Sequence, residues 1–296
     1  MKPPPFEYIA PESIEEALAA LREHGDEAKV LAGGQSLMPL LAFRLLRPSV
    51  LVDLNRVPGL DELRLDKETL VVGAMARQRA VEMLVGLRER CAMVSEAVEL
   101  VGHVAIRNRG TVGGSLVHAD PAAEWAALVV ALDGELELFG PSGSRKMAAA
   151  EFLITYFTTA LAPDELLTRV QLSLPNGRSG SCFLELCRRH GDFAIVGVGA
   201  VVTLGANGEV ADGRVVLIGI AERAVRATAV EKALAGERPT EQTIAQAVRE
   251  LDGEISPGSD IHASESYRRQ VAAVLTRRAL ARAAERAQKA EYASEA

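Results

Sequence analysis

The sequence has 296 residues, 48% of them hydrophobic and 25% charged, which is the composition of a globular protein able to bury a sizeable core. Its formal net charge of -7 argues against nucleic acid or an anionic membrane surface as the main partner. Its apolar runs are all shorter than the ~18 residues of a membrane span, and no apolar stretch of a secretory signal follows residues 1–5. We therefore expect a cytoplasmic protein without a membrane span.

The first 56 residues predict a small parallel unit of alternating strands and helices. Ser13 and Glu16 have the spacing of a capping box, and the amphipathic helix behind them is expected to stop at Gly25. An apolar strand, a glycine pair, a helix and a second strand follow in order, over residues 28–32, 33–34, 37–45 and 50–54. This order favours a right-handed unit with parallel strands. We assign about residues 1–56 to a first lobe.

Residues 57–176 alternate short strands with short helices and form the predicted second lobe. The strands are expected at 63–65, 69–73, 135–139 and 166–174, and the helices at 77–88, 91–101 and 121–131. A second glycine pair, Gly113-Gly114, precedes the last of these helices. Asp120 and Pro121 suit the N-cap and the first position of that helix.

Turn-forming residues cluster at 175–180 without hydrophobic periodicity, so the first domain is predicted to cover residues 1–176. Three strands are expected next, at 181–187, 195–204 and 214–220, and then three helices, at 228–235, 241–251 and 265–288. Strands followed by helices predict an α+β domain over 177–288, built on a three-stranded antiparallel sheet. The polar tail, 289–296, is expected to fray.

The cysteine and histidine content argues against a metal site in this chain. Cys91, Cys182 and Cys187 are the only cysteines, and no pair has the two-residue spacing of a metal-binding knuckle. An iron–sulfur cluster held by cysteine alone needs about four thiolates. The five histidines are scattered along the sequence. We expect no metal ligands, and nothing in the sequence points to a general acid or base.

Two glycine motifs are the strongest chemical signal in the sequence. They are Ala32-Gly33-Gly34-Gln35-Ser36 and Thr111-Val112-Gly113-Gly114-Ser115. Adjacent glycines let main-chain N–H groups approach a ligand, and the N-terminus of a following helix attracts an anion. One such motif alone is equally compatible with a tight turn. Two of them together favour the pyrophosphate of a single dinucleotide.

Carboxylates near the two motifs support two alternative ligands. Asp120 and Glu124 follow the second motif, and Glu124 is the better candidate for a ribose hydroxyl because Asp120 also suits a helix N-cap. A nicotinamide-binding Rossmann unit is the main alternative, since Asp53 ends a strand about 20 residues after Gly33. The first motif lacks the G-x-G-x-x-G pattern, however, and one Rossmann unit would leave the second motif unexplained.

Four segments resemble, in the same order, those of the FAD-binding subunits of the molybdenum hydroxylases, of the type found in the medium subunit of carbon monoxide dehydrogenase. They are residues 32–39, 107–115, 188–194 and, in the last helix, 266–269 with 274–280. The resemblance covers about residues 5–288. It implies an α+β protein in which a two-lobed FAD-binding domain of the PCMH type precedes a smaller C-terminal α+β domain.

The resemblance also implies the cofactor, the partners and the residues of the site. FAD would lie between the two lobes and carry electrons from a small subunit with 2Fe–2S clusters to an external acceptor. A large molybdopterin subunit would oxidise the substrate, within a dimer of heterotrimers. The residues assigned to FAD are Ala32, Gly33, Gly34, Gln35, Ser36, Leu37, Thr111, Val112, Gly113, Gly114, Ser115, Asp120, Glu124, Leu167 and Phe193.

Within this set, the resemblance places Glu124 at the adenosine ribose, Leu167 at the side of the flavin and Phe193 over the flavin ring. If Phe193 does not face a flavin, it is a core aromatic at the start of the next strand. Relatives with a lysine on the flavin or an aromatic on the adenine differ from this sequence, which has Leu184 and Val101 at those positions. The electron acceptor therefore stays open.

The substrate stays open as well, because its pocket would be in another chain. Carbon monoxide, an aldehyde and a nitrogen heterocycle are all compatible with the sequence.

Two other functions remain as alternatives. One is a self-contained FAD oxidase of a small alcohol or amine, with FAD covalently attached to His118 or His103. The other is a flavin-free assembly subunit, in which the glycine motifs are only turns.

Overall fold

A computed structural model describes residues 2–294, with side chains described as far as residue 290. The first lobe consists, in chain order, of β1 (Glu7–Ile9), α1 (Ile14–His24), β2 (Ala28–Leu31), α2 (Leu37–Ala42) and β3 (Val50–Asp53). Its sheet has the order β1-β3-β2 with all strands parallel. The Ser13 hydroxyl accepts a hydrogen bond from the Glu16 amide at 3.1 Å, which is one half of the predicted capping box, but the Glu16 carboxylate accepts from the Glu12 amide at 2.9 Å rather than from that of Ser13. Strand β1 was not predicted, because three residues behind a proline run show no alternation.

The second lobe carries a five-stranded antiparallel sheet with its helices and a small separate hairpin. Its first elements are β4 (Leu63–Leu65), β5 (Thr69–Gly73), α3 (Gln78–Glu82), α4 (Leu87–Arg90), α5 (Ala92–Leu100), α6 (Val104–Arg109), α7 (Val112–His118) and α8 (Glu124–Ala131). They are followed by β6 (Glu135–Gly140), β7 (Gly143–Ala148), α9 (Ala149–Phe152), β8 (Leu153–Thr155), β9 (Thr158–Thr159) and β10 (Leu166–Ser173). The strand order of the large sheet is β4-β5-β10-β6-β7.

Three sequence expectations for the second lobe were wrong. The helix expected over 77–88 is two short helices, because Gly86 between them has a positive φ of 81°. The helix expected to start at Pro121 starts at Glu124, since the Asp120 carboxylate accepts from the Ala122 amide at 2.9 Å and forms a turn. The second glycine pair lies inside α7 rather than in a loop before it.

The C-terminal part contains the predicted antiparallel sheet and three helices. Its elements are β11 (Ser179–Leu186), β12 (Val196–Leu204), β13 (Val210–Ile218), β14 (Val225–Arg226), α10 (Thr228–Leu234), α11 (Glu241–Ala247) and α12 (Glu265–Ser294). The three long strands confirm the three-stranded prediction, and the two-residue β14 adds a fourth strand at the edge. Helix α12 extends beyond the predicted end at 288, and residues 295–296 lie outside the described part.

The C-terminal sheet shares one hydrophobic core with the second lobe. Phe183, Val201 and Ile218 on one face of this sheet are buried in the same cluster as Trp125 and its neighbours in the second lobe. The other face is covered by α12 and forms a separate core. The segment between β11 and β12, which contains Phe193, is therefore held against the second lobe by buried apolar contacts.

Candidate functional site

The two glycine motifs lie against each other. A Cβ atom on Gly33 would lie 2.5 Å from the main-chain oxygen of Arg109 and 2.7 Å from Cα of Gly110. Only a residue without a side chain allows this approach. On the other side of the contact, a Cβ atom on Gly114 would lie 3.5 Å from Cβ of Ala32. The fold thus brings together two motifs that are far apart in sequence, as a shared ligand requires.

The first motif presents main-chain donors that have no acceptor in the described part of the chain. Gly34 has a positive φ of 73°, which turns the chain between β2 and α2. The amides that follow this turn, those of Gln35, Ser36 and Leu37, have no acceptor among the described residues. Ser36 is the N-cap of α2, yet its hydroxyl makes no capping hydrogen bond. Gln35 fixes the turn through a 3.0 Å hydrogen bond from its side-chain amide to the Gly33 oxygen. Such unpaired donors suit the oxygen atoms of a phosphate.

The second motif differs from the expected loop, because four of its five amides, those of residues 112–115, are already bonded to the protein. The Thr111 hydroxyl caps α7 by accepting from the Gly114 amide at 3.1 Å, and the Gly113 amide donates to the Ala74 oxygen at 2.9 Å. A Cβ atom on Gly113 would lie 2.5 Å from Cβ of Ala74, so this glycine permits packing against the large sheet. The expected second cradle of free N–H groups is therefore reduced to the Thr111 amide, which has no acceptor among the described residues. The motif also keeps the Ser115 hydroxyl as a polar group on a partly accessible residue.

Arg77 and Asn55 connect the two motifs, and sequence reasoning missed both. The Arg77 guanidinium donates to the main-chain oxygen of Arg109 and, at 2.5 Å, to the side-chain oxygen of Asn55. The side-chain amide of Asn55 in turn donates to the main-chain oxygen of Ala32 at 3.0 Å. A bridge between the main chains of Arg77 and Thr111 reinforces the connection. No sequence motif indicates these contacts, since they depend on which turns the fold brings together.

Asp53, the ribose carboxylate of the Rossmann alternative, is occupied by the protein itself. Its carboxylate accepts a 2.5 Å hydrogen bond from the Tyr8 hydroxyl and a 2.9 Å hydrogen bond from the main-chain amide of Asn55. Burial alone would raise the pKa of Asp53, but these hydrogen bonds and the charge of Arg109 outweigh it and hold the pKa below its usual value. Asp53 therefore acts as a structural anion that orients Asn55.

A buried ion pair supports the helix before the second motif. Arg107, only 4% exposed, donates to Glu82 at 2.7 Å. It also donates to the main-chain oxygens of Val101 and Gly102, at 3.1 and 2.9 Å. Burial would raise the pKa of Glu82, but hydrogen bonds from Arg107 and Arg79 outweigh it and lower that pKa. The pair fixes α6 and hence the position of the second motif that follows it.

The two candidate ribose carboxylates differ in environment. Asp120 is partly exposed and lies in the turn between α7 and α8. Glu124 is only 5% exposed, and burial, with the nearby charge of Glu185, raises its pKa to about 8. Burial also raises the pKa of Glu185 to about 7. Near neutral pH, Glu124 therefore carries a proton and can donate a hydrogen bond as well as accept one.

The two candidate flavin contacts also differ. Leu167, in β10, is 4% exposed and belongs to the core of the second lobe. Phe193 is 62% exposed, which rules out the alternative that it is a core aromatic. It lies on the wall of a cavity of about 610 Å³ between the second lobe and the C-terminal sheet. Tyr156, which belongs to the second lobe and is 54% exposed, also lines this cavity.

Comparison with known proteins assigns the chain to a family. The protein-family model described as "FAD binding domain in molybdopterin dehydrogenase" matches residues 4–175. A second family model, described as "CO dehydrogenase flavoprotein C-terminal domain", matches residues 181–283. The chain belongs to the FAD-binding subunits of the molybdenum hydroxylases. FAD is thus its cofactor, and it is an oxidoreductase subunit. The resemblance inferred from the four segments and the predicted two-domain α+β fold are confirmed.

Curated relatives cover nearly the whole chain. The subunit alpha of the 6-hydroxypseudooxynicotine dehydrogenase complex of Paenarthrobacter nicotinovorans is 41% identical, with 97% of each chain covered. The caffeine dehydrogenase subunit beta of Pseudomonas sp. (strain CBB1) is 39% identical, again with 97% of each chain covered.

Solved structures show the same fold. Carbon monoxide dehydrogenase from Hydrogenophaga pseudoflava contains a chain with a TM-score of 0.93 and 34% identity, covering 97% of this chain and 99% of its own length. Quinoline 2-oxidoreductase from Pseudomonas putida 86 contains one with a TM-score of 0.91 and 36% identity, with the same coverage.

Within the described residues, no cluster of three or more metal-ligating side chains occurs and no helix could span a bilayer.

Proposed function

We propose that this chain is the electron-transfer flavoprotein of a molybdopterin-dependent dehydrogenase. In this function, bound FAD would supply the redox chemistry that links the iron–sulfur clusters of a partner to an external acceptor. The proposal rests on the unpaired donors of the first motif, which lie directly against the second motif. FAD supplies the redox chemistry when bound, and the residues of this chain hold and orient it.

The two motifs would bind the pyrophosphate and ribityl part of FAD unequally. The free amides and hydroxyl within Gly33–Leu37 would donate to phosphate oxygens, together with the main chain of Ala32. The amides of residues 112–115 are bonded to the protein, so the second motif would contribute the Thr111 amide, the Ser115 hydroxyl and the surface of α7. Arg77 would add positive charge and hold both motifs in place.

The remaining residues would determine the position of the ribose and the flavin ring. Protonated Glu124 and its neighbour Asp120 would bind the ribose hydroxyls through short hydrogen bonds. Leu167 would close the apolar side of the flavin site from the core. Phe193, exposed at the junction of the two domains, would cover the flavin ring. We place the domain boundary at 176–177, directly before the Phe193-bearing sheet.

The proposed partners are a large molybdopterin subunit and a small subunit with 2Fe–2S clusters, in a cytoplasmic dimer of heterotrimers. Three cysteines are too few for an all-cysteine cluster in this chain, so the clusters would belong to the partner. The relatives are named as subunits of dehydrogenase complexes, which supports a shared assembly. The substrate would bind to the large subunit.

Isolation of the complex tests the proposal. The tagged chain is co-expressed and purified with the two proposed partner subunits. The complex is then precipitated with acid, and the flavin in the supernatant is identified by chromatography. We expect one FAD per chain, free in the supernatant. We also expect the flavin to be reduced by substrate only when both partners are present. A precipitate that stays yellow and a chain that is reduced by small alcohols or amines without partners would support the oxidase alternative instead.

A further inference from the structure

Arg268 is a buried arginine that the proposed FAD site does not include. It lies in the first turn of α12, and its side chain is almost entirely buried, at 8% residue exposure. A buried guanidinium requires a compensating charge. Asp260 provides it at 2.7 Å, and this carboxylate is itself fixed by the amides of His262 and Ala263, at 2.8 and 2.9 Å. The structure thus maintains this cation at a defined point under the cavity that Phe193 lines.

A second nitrogen of the guanidinium, Nη1, donates to two main-chain oxygens, whereas Nε has no partner among the described residues. One is the oxygen of Ile195 at 2.5 Å, two residues after Phe193, and the other is the oxygen of Gly219 at 2.8 Å. These two residues also pack directly on each other. Gly219 has a positive φ of 74°, and a Cβ atom there would lie 2.5 Å from the Ile195 oxygen. Only glycine at 219 allows Arg268 to reach both oxygens at once.

Gly219 extends the connection into the FAD-binding domain. Its amide donates to the main-chain oxygen of Pro121 at 3.0 Å. Pro121 lies in the turn between α7 and α8, next to Asp120 and three residues before Glu124. A continuous series of hydrogen bonds therefore joins the segment that carries Phe193, through Arg268 and Gly219, to the segment that carries the two candidate ribose carboxylates.

We propose that Arg268 is a positioning residue for the flavin: it sets the placement of Phe193 relative to the FAD-binding residues of the second lobe. The proposal rests on the function proposed above. Arg268 binds two main-chain oxygens of the C-terminal domain, and the Gly219 amide continues the series to Pro121 in the FAD-binding domain. These directional hydrogen bonds fix distance and orientation, which apolar packing alone does not. The guanidinium suits this task because its donors lie in one rigid plane and can bind three acceptors together.

The adjacent arginine provides a matched control. Arg269 lies on the same turn of α12, but its side chain is 30% exposed and it pairs with Glu265 and Asp252 on the surface. Removal of its charge changes the net charge and the helix composition as much as removal of the Arg268 charge. Arg269→Gln therefore separates the positioning role from a general effect on α12.

The experiment compares Arg268→Gln, Arg268→Lys and Arg269→Gln in the FAD-loaded, assembled complex. The measured quantities are FAD content, the absorption spectrum and midpoint potential of the bound flavin, and the rate at which an artificial quinone reoxidises the reduced flavin. We expect Arg268→Gln to keep its FAD, shift the spectrum and potential, and slow reoxidation roughly 10-fold or more, since a 1 Å misplacement can cost about 100-fold. Arg268→Lys should restore part of the rate, and Arg269→Gln should behave like the parent.

A double-mutant cycle with Phe193→Ala decides whether the effect acts through Phe193. If Arg268 positions Phe193, Arg268→Gln should cause no further spectral shift once the ring is absent. Additive effects, or an unchanged flavin in Arg268→Gln, would overturn the inference.

If Arg268→Gln does not fold, Asp260→Asn replaces it, because this partner is about half exposed. The same shift in Asp260→Asn would support the inference, and an unchanged flavin would overturn it. A parent protein without FAD would instead contradict the proposed function.

Discussion

The contact between the two glycine motifs can be tested by adding one methyl group. In Gly33→Ala, the new Cβ would lie 2.5 Å from the Arg109 oxygen, 2.7 Å from Cα of Gly110 and 3.0 Å from the Thr111 nitrogen. All three neighbours are main-chain atoms, so no side chain can rotate away. Because atoms in van der Waals contact lie about 3.5 Å apart, the motifs must separate by about 1 Å.

The cost of this separation should appear in the affinity for FAD. Overpacking in a closely packed region costs about 1–3 kcal/mol. The FAD-free protein can relieve the strain by letting the motifs move apart, whereas a ligand that contacts both must pull them together again. At about 1.4 kcal/mol for each factor of ten, we expect the dissociation constant for FAD to rise roughly 5-fold to 150-fold.

The assay is a titration of FAD-free protein with FAD, followed by the change in flavin fluorescence, with the thermal unfolding midpoint measured alongside. Gly253→Ala is the control, since an added Cβ there would have no atom within 4 Å. We expect parental affinity in this control. If Gly33→Ala binds FAD as tightly as Gly253→Ala does, the close approach of the two motifs has no role in binding and the reasoning fails.

Three further predictions concern the charged residues of the site. Arg77→Met removes the link between the motifs and should weaken FAD binding by about 10-fold or more in a fluorescence titration. Arg79→Met is the control, because it removes a partly exposed ion pair and should leave FAD binding unchanged. Burial raises the pKa of Glu124 from 4.5 to about 8, so the FAD-free protein should lose stability as the pH rises through this interval. Glu124→Gln should therefore unfold at a higher temperature than the parent at pH 9 but not at pH 5. Arg107→Met leaves Glu82 with only the partly exposed Arg79 as its ion-pair partner and should cost about 1–3 kcal/mol in urea unfolding, more than removal of both side chains.

Local patterns predicted the elements whose signals lie within a few residues. The N-cap at Ser13, the parallel strands on either side of the first glycine pair and the three long C-terminal strands are all confirmed. The other half of the predicted capping box is wrong, because the Glu16 carboxylate accepts from the Glu12 amide. The predicted helix over 77–88 failed because one glycine with positive φ, Gly86, interrupts an otherwise helical composition. Strand β1 failed because its three residues acquire their structure only from pairing with β3.

The candidate site could be predicted only where its residues form a continuous motif. Both glycine motifs were identified, yet they looked equivalent in sequence and differ in structure. Gly34 turns the chain at positive φ, whereas Gly113 and Gly114 are helical and permit packing and capping. Arg77 and Asn55 carry no local signal, because their partners are about 20 to 30 residues away and are defined by the fold.

The position of Phe193 shows why the two domains act as one site. A side chain that is 62% exposed in the segment between two strands has little to hold it by itself. The strands on both sides of it are anchored, however, because Phe183 and Val201 are buried in the core of the second lobe. Arg286 adds a link at the far end of α12, where it binds the Ser181 oxygen and, at 2.5 Å, the Glu96 carboxylate of the second lobe. Since the same sheet supports Phe193 and completes the core of the FAD-binding domain, a change in that core must also change the placement of this ring.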